Sequence, residues 1–265
     1  MHVVDDLGRT LDLKRPPTRL VSLVPNLSEL VYELGRGADL VAVTEYCVEP
    51  PGGFDHAMRV RGTKNPDLAA IAALKPDLVI ANDEENRQID VTRLTEHGMN
   101  VYVTHARTLP DVAACVEKLC AVLDAKSDGE RIARAIADSA ANAPVSHDPV
   151  TVFCPIWRDG AHKGLEETWW CVGPDTYAGA LMKQAGLMLV SGNDNPRYPR
   201  LTLADVEKAR PQLVLLPDEP YNFSADDAAV FAAWSDTTVV PYSGTDLFWW
   251  GPRTADALER LTQLV

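Results

Sequence analysis

The stretch L-A-A-I-A-A-L-K-P-D-L-V-I-A-N-D-E, residues 68–84, has a counterpart in L-A-D-V-E-K-A-R-P-Q-L-V-L-L-P-D-E, residues 203–219. The two align without a gap. Each opens with Leu and Ala in a short helical pattern. A basic residue and a proline then break the helix, Lys75-Pro76 in one copy and Arg210-Pro211 in the other. An apolar run follows, with the character of a strand buried on both faces, and Asp-Glu ends it. Leu, Ala, the basic residue, Pro, Leu, Val, Asp and Glu match in register. That agreement implies a duplicated unit, and so two related lobes.

Residues 127–142 lie between the copies. Ser127 and Glu130 read as a capping box, and Ile132, Ala135 and Ile136 recur at helical spacing before Pro144. A helix of that length spans about 24 Å, which suits a strut between lobes. Around the copies the chain alternates strand and helix. Strands are predicted near residues 19–24, 40–43, 100–103, 150–154 and 238–241. Helices are predicted near 87–97, 175–184, 224–234 and 254–264. The expected class is α/β: two lobes, each a mainly parallel sheet flanked by helices, joined by a long backbone helix. The expected division is an N-terminal lobe at 1–108, connecting and backbone helices at 109–143, and a C-terminal lobe at 144–265.

The chain has 265 residues and a formal net charge of −13. That charge argues against nucleic acid as a partner. No apolar run is long enough for membrane insertion. The first nine residues lack the basic start and apolar core of a signal peptide, so a cytoplasmic location is expected. The alternative is an extracytoplasmic protein whose leader was removed. The five cysteines, Cys47, Cys115, Cys120, Cys154 and Cys171, include no C-x-x-C and read as buried thiols. The histidines, His2, His56, His97, His105, His147 and His162, show no metal-ligand spacing, so no protein metal site is expected. Nucleophile-elbow, P-loop, dinucleotide and zinc-protease motifs are absent.

In open parallel sheets, ligands bind beyond the carboxyl ends of the strands. That rule selects Asn26, Glu29, Tyr46, Asp83, Glu84, Trp157, Arg158, Asp218, Glu219, Tyr221, Asp246, Phe248, Trp249, Trp250 and Arg253. Aromatic rings beside Arg and carboxylates suit a large planar or apolar ligand.

These residues bring a resemblance into view. R-L-V-S-L-V-P-N-L-S-E-L, residues 19–30, resembles the opening of class III periplasmic binding proteins, those for vitamin B12 and iron siderophores. Residues 6–9, 44–46 with Pro50-Pro51, 65–80 and 246–253 fit the same pattern. P-I-W-R at 155–158 and W-G-P-R at 250–253 are similar to a subgroup of cobalamin-binding or helical-backbone metal receptors. The resemblance implies two α/β lobes and a helical backbone. It also implies non-catalytic binding of a cobalamin-like or chelated-metal ligand in a cleft between the lobes. By position, Tyr46, Asn82, Trp157, Tyr198 and residues 246–250 match cleft residues of B12 receptors. No intrinsic cofactor is expected; the cobalamin, ferric or other metal chelate is cargo.

The alternatives are a siderophore or haem receptor of an ABC importer, and an enzyme using Glu29, Asp83, Glu84 or Glu219. One departure stands out. Such receptors carry one glutamate per lobe that docks on a membrane permease, and the matching positions here are Ala69 and Ala204. Asp67 and Asp205 lie nearby. Permease docking is therefore not expected.

Overall fold

The computed structural model describes residues 1–144, 147–160, 164–192 and 197–265. His162 lies outside them. The chain forms two compact units, residues 1–106 with 110–135, and 107–109 with 136–265.

The first unit opens with a hairpin, β1 His2–Val4 and β2 Thr10–Asp12. Its parallel strands are β3 Leu20–Ser22, β4 Leu40–Val43, β5 Met58–Arg59, β6 Leu78–Asn82 and β7 Val101–Thr104, in the order β5-β4-β3-β6-β7. The helices are α1 Pro25–Val31, α2 Leu68–Leu74, α3 Gln88–Glu96, α4 Leu109–Val122 and α5 Lys126–Asn142. β3, β6 and β7 are buried at every position, as parallel strands covered on both faces must be. The hairpin shields the β7 edge. Asp6 N–H donates to the Val103 carbonyl at 3.2 Å, and Val103 N–H donates to Asp5 Oδ2 at 3.2 Å. Those bonds occupy backbone groups that an open edge would offer to another chain.

The second unit holds β8 Val150–Phe153, β9 Pro155–Asp159, β10 Thr168–Cys171, β11 Leu187–Leu189, β12 Arg200–Thr202, β13 Leu213–Pro217 and β14 Thr238–Tyr242. Its helices are α6 Tyr177–Gln184, α7 Leu203–Ala209, α8 Ala225–Ala229, α9 Gly244–Phe248 and α10 Thr254–Thr262. A parallel sheet runs β11-β8-β13-β14. The α/β class with parallel sheets flanked by helices is as expected. The sequence reading did not anticipate a second, antiparallel sheet, β12-β10-β9. Phe153, Trp169, Cys171, Val206, Val214 and Phe231 form the core between strands and helices.

The repeated copies take the same place in their own sheets. Each is a seven-residue helix, then a five-residue strand between the first and the last strand, in chain order, of its parallel sheet. Lys75 and Arg210 both end their helices in the left-handed region, at φ 48° with ψ 58° and 63°. Even the residue after the proline acts alike. Asp77 accepts the N–H groups of Thr18 and Arg19, each at 3.0 Å, at the entry to β3. Gln212 Oε1 accepts Thr151 N–H at 2.9 Å in β8.

The anticipated capping box at Ser127 and Glu130 does not form. α5 begins at Lys126, so both residues sit inside the helix. The α4–α5 turn is short, with Asp124 at φ 57°, and the chain re-enters helix one residue early. Gly129 is required there, because a Cβ would lie 2.5 Å from Cys120 Cβ. The division between units falls inside α5, after Ala135, so α4 from Pro110 onward belongs to the first unit.

A Cβ-bearing residue in the left-handed region costs about 1 kcal/mol or more. Lys75→Gly and Arg210→Gly should therefore each leave stability unchanged or raise it by up to about 1 kcal/mol, once the added freedom of the unfolded chain is set against that gain. Urea unfolding checks this. Effects of opposite sign in the two copies would break the equivalence.

Candidate functional site

In each unit the selected residues cluster beyond the carboxyl ends of the parallel strands. At the first unit's end, Asn26 and Glu29 lie in α1 and are buried. Tyr46 is 60% exposed, and Gly62 lets its ring approach: a Cβ at Gly62 would stand 3.0 Å from the ring. Asn82 closes β6 and is buried. Its amide donates to Thr104 O and Oγ1 at 3.3 and 3.1 Å. Its oxygen accepts the N–H groups of Glu84 and Glu85 at 2.9 and 3.1 Å. Asn86 completes the turn. It accepts Asn82 N–H at 2.9 Å and donates to the Leu23 and Thr63 carbonyls. Asn82 thus holds the strand end in shape. Asp83 meets His105 Nδ1 at 2.7 Å, and the Glu84 carbonyl accepts from Lys64.

At the second unit's end, β9 and β10 alternate their faces. Trp157 pairs across the strands with Trp170, and Arg158 with Trp169. Trp157 and Trp170 are 51% and 41% exposed, whereas Trp169 is fully buried. Tyr221 stands edge-on to Trp157, with centroids 5.2 Å apart. Arg158 turns inward over the Trp169 ring, 5.0 Å from its centroid. It bonds Glu167 with two nitrogens and Asp227 Oδ1 at 2.7 Å. Both carboxylates are buried. Burial works to raise the Asp227 carboxyl, but Ser224 and Arg158 outweigh it and hold the group below the ordinary range. A cavity of about 640 Å³ opens beside this network, lined by Arg158, Glu167, Leu203, Tyr221 and Val230 with Gly160 and Gly164.

The remaining residues are mostly structural in their contacts. Asp246 is buried and receives Arg260 in a bidentate pair at 2.6 and 2.7 Å. Asp218 accepts Gly244 N–H at 2.7 Å. Gly244 is obligatory because a Cβ would meet Glu219 Cγ at 2.2 Å. Trp249 and Trp250 are buried, at 7% and 6% exposure, with Arg253 5.7 Å from the Trp249 centroid. Phe248 and Tyr198 are half-buried. The sequence reading missed Glu167 and Asp227, the partners of Arg158. Ser224 and Asp227 at capping-box spacing were the one local signal for the latter.

A family model described as periplasmic binding protein matches residues 20–216. The chain belongs to that family. Among curated relatives, the vitamin B12-binding protein of Vibrio cholerae is 35% identical over 104 residues, 39% of this chain and 37% of that protein. The vitamin B12-binding protein of Vibrio parahaemolyticus is 35% identical over 121 residues, 45% and 43% of the two chains. These matches span less than half of the relatives' length.

Solved structures agree in fold. The periplasmic vitamin B12-binding protein of Vibrio cholerae superposes with a TM-score of 0.75 at 22% identity, covering 94% of this chain and 96% of that one. The apo periplasmic haem-binding protein of Roseiflexus gives 0.78 at 20%, covering 92% and 96%. These findings correct the expectation of a cytoplasmic protein. The family is described as periplasmic binding protein, and the vitamin B12- and haem-binding structures from Vibrio cholerae are of periplasmic proteins.

Arg158→Met removes a cation bonded to two buried carboxylates, Glu167 and Asp227, which should cost about 3–5 kcal/mol. Asp227→Asn tests the sign of the pH dependence. A carboxyl held below its unfolded value stabilises the fold above about pH 3.9 and loses that contribution as pH falls through the folded value. The stability gap between wild type and Asp227→Asn should therefore be widest near neutral pH and close in acid. A gap that widens in acid would refute the assignment.

Proposed function

We propose that the chain is a non-catalytic binding protein for a cobalamin-like or other chelated-metal ligand, taken up at the strand-end surfaces. The carrying observation is the family match over residues 20–216, in which curated relatives are named vitamin B12-binding proteins. The site is consistent in kind. Tyr46 and Trp157 offer exposed rings on rigid strand ends, and Tyr221 braces the second. Rings of this sort contact a large flat ligand at little conformational cost. Asp246 is tied into a bidentate pair with Arg260, an arrangement suited to holding shape rather than to proton transfer. A haem ligand is the second reading, favoured by solved neighbours that bind haem. The net charge of −13 weighs against a strongly anionic chelate.

The test is a titration with cobalamin, haemin and a ferric siderophore, read by absorbance and tryptophan fluorescence. A corrinoid should bind. Trp157→Ala should weaken binding about tenfold, the equivalent of about 1.4 kcal/mol, with little change in Tm because the ring is half exposed. Failure of all three ligands to bind would sink the reading.

We also propose that no permease contact is made through one carboxylate per lobe. Ala69 and Ala204 follow the first residues of α2 and α7. The neighbouring carboxylates are engaged in caps. Asp67 accepts Ala70 N–H at 3.0 Å, and Asp205 bonds Thr202 Oγ1 at 2.6 Å, which holds its carboxyl below the ordinary range. The double variant Asp67→Asn with Asp205→Asn should bind a B12-type importer in nanodiscs no more weakly than wild type does. Tight wild-type binding abolished by the pair would overturn this.

A further inference from the structure

We propose that His105 supplies an axial nitrogen to the metal of a bound chelate. This rests on the ligand reading above and names the residue that would touch its metal. Among the described residues, no group of three or more His, Cys, Asp or Glu side chains is placed to hold a metal ion. A bare cation therefore finds no cage here. One firmly held imidazole suits a different cargo: a metal whose other positions are already filled by a macrocycle or chelator, with an axial position open.

The geometry of His105 meets that need. It follows β7 directly, beyond the carboxyl end of the strand. Its backbone is fixed on both sides: the N–H donates to Asp6 Oδ2 at 3.3 Å, and the carbonyl accepts from Cys115 Sγ at 3.0 Å. Nδ1 lies 2.7 Å from Asp83 Oδ2. A carboxylate in that position keeps the proton on Nδ1 and leaves the Nε2 lone pair on the opposite edge of the ring, the tautomer that binds metals. The side chain is 30% exposed. Asp83 is in turn carried by the Asn82 turn, so ring and carboxylate ride on adjacent strands, β6 and β7. An Asp–His pair kept only as an ion pair at this exposure would add little stability. The Asp–His pair makes better sense as a device that aims one nitrogen.

The test uses hydroxocobalamin and ferric haemin, each with an exchangeable axial position, and cyanocobalamin as a control whose axial positions are filled. Each is titrated into wild type, His105→Gln and Asp83→Asn. Tryptophan fluorescence reports binding, absorbance reports axial coordination, and circular dichroism confirms folding. In wild type, at least one exchangeable chelate should show an absorbance change of imidazole ligation, and cyanocobalamin should quench without it. His105→Gln should still quench but keep the spectrum of the water-ligated chelate. Asp83→Asn should retain the spectral change with coordination weakened about 10- to 100-fold. Quenching without an absorbance change in wild type, or the same change in His105→Gln, overturns the proposal and leaves the ligand reading standing. Absence of quenching by every chelate overturns both.

Discussion

One side-chain oxygen in each lobe makes the join on which its sheet depends. Parallel neighbours cannot be linked by a tight turn, so β3 meets β6, and β8 meets β13, only after a long excursion of the chain. Asp77 reaches the backbone of Thr18 and Arg19 across 59 and 58 residues, and Gln212 reaches Thr151 across 61. Both sit directly after the proline that ends the preceding helix, where the backbone has just turned. The contact sets register as well as proximity. A slip of one residue would turn every side chain of β6 or β13 to the wrong face of a sheet buried on both sides. Asp77 carries a trace of this duty: the N–H bond from Thr18, ahead of the other effects, holds its carboxyl below the ordinary range.

This explains which parts of the fold were legible in the sequence. β6 and β13 are continuous apolar runs marked off by Pro, and their duplication gave two sightings of one pattern. The antiparallel sheet was hidden for the opposite reason. Pro155 opens β9, and Trp157-Arg158 against Trp169-Trp170 alternates over too few residues to separate a strand from a loop. The cap at Ser127 failed because a helix start depends on where the preceding turn releases the chain, and the α4–α5 turn is shorter than residue types disclose.

The site was legible in location and not in detail. The strand-end rule picks out the loops where the candidate residues gather, but tryptophan has the same one-letter signal in a core as on a surface. Trp157 and Trp170 are exposed while Trp169, Trp249 and Trp250 are buried, and only strand parity and tertiary packing distinguish them. The charged residues were opaque for a related reason. Asp83 finds His105 at a distance of 22 residues, Arg158 finds Asp227 at 69, and Asp246 finds Arg260 at 14. None of those intervals is a local motif, so pairing that neutralises a carboxylate cannot be told from one left open to a ligand.

The duplicated frame also explains how the two strand ends came to differ. After the shared helix, proline and strand, Asn82-Asp83-Glu84 stands at the same point as Pro217-Asp218-Glu219. In the first copy Asn82 binds two following N–H groups and shapes a polar turn that carries Asp83 toward His105. In the second, Pro217 has no such side chain. Asp218 instead anchors Gly244 N–H, and the chain goes on to Tyr221 beside Trp157. The constraint that fixes register lies at the beginning of each strand, in Asp77 and Gln212. The far ends are released from it, because loops beyond a sheet can change without disturbing the ladder. One end has become polar and the other aromatic on the same scaffold. At the first end Asn82 and Asn86 tie the turn down with hydrogen bonds, and a turn so fixed has little ordering entropy left to lose.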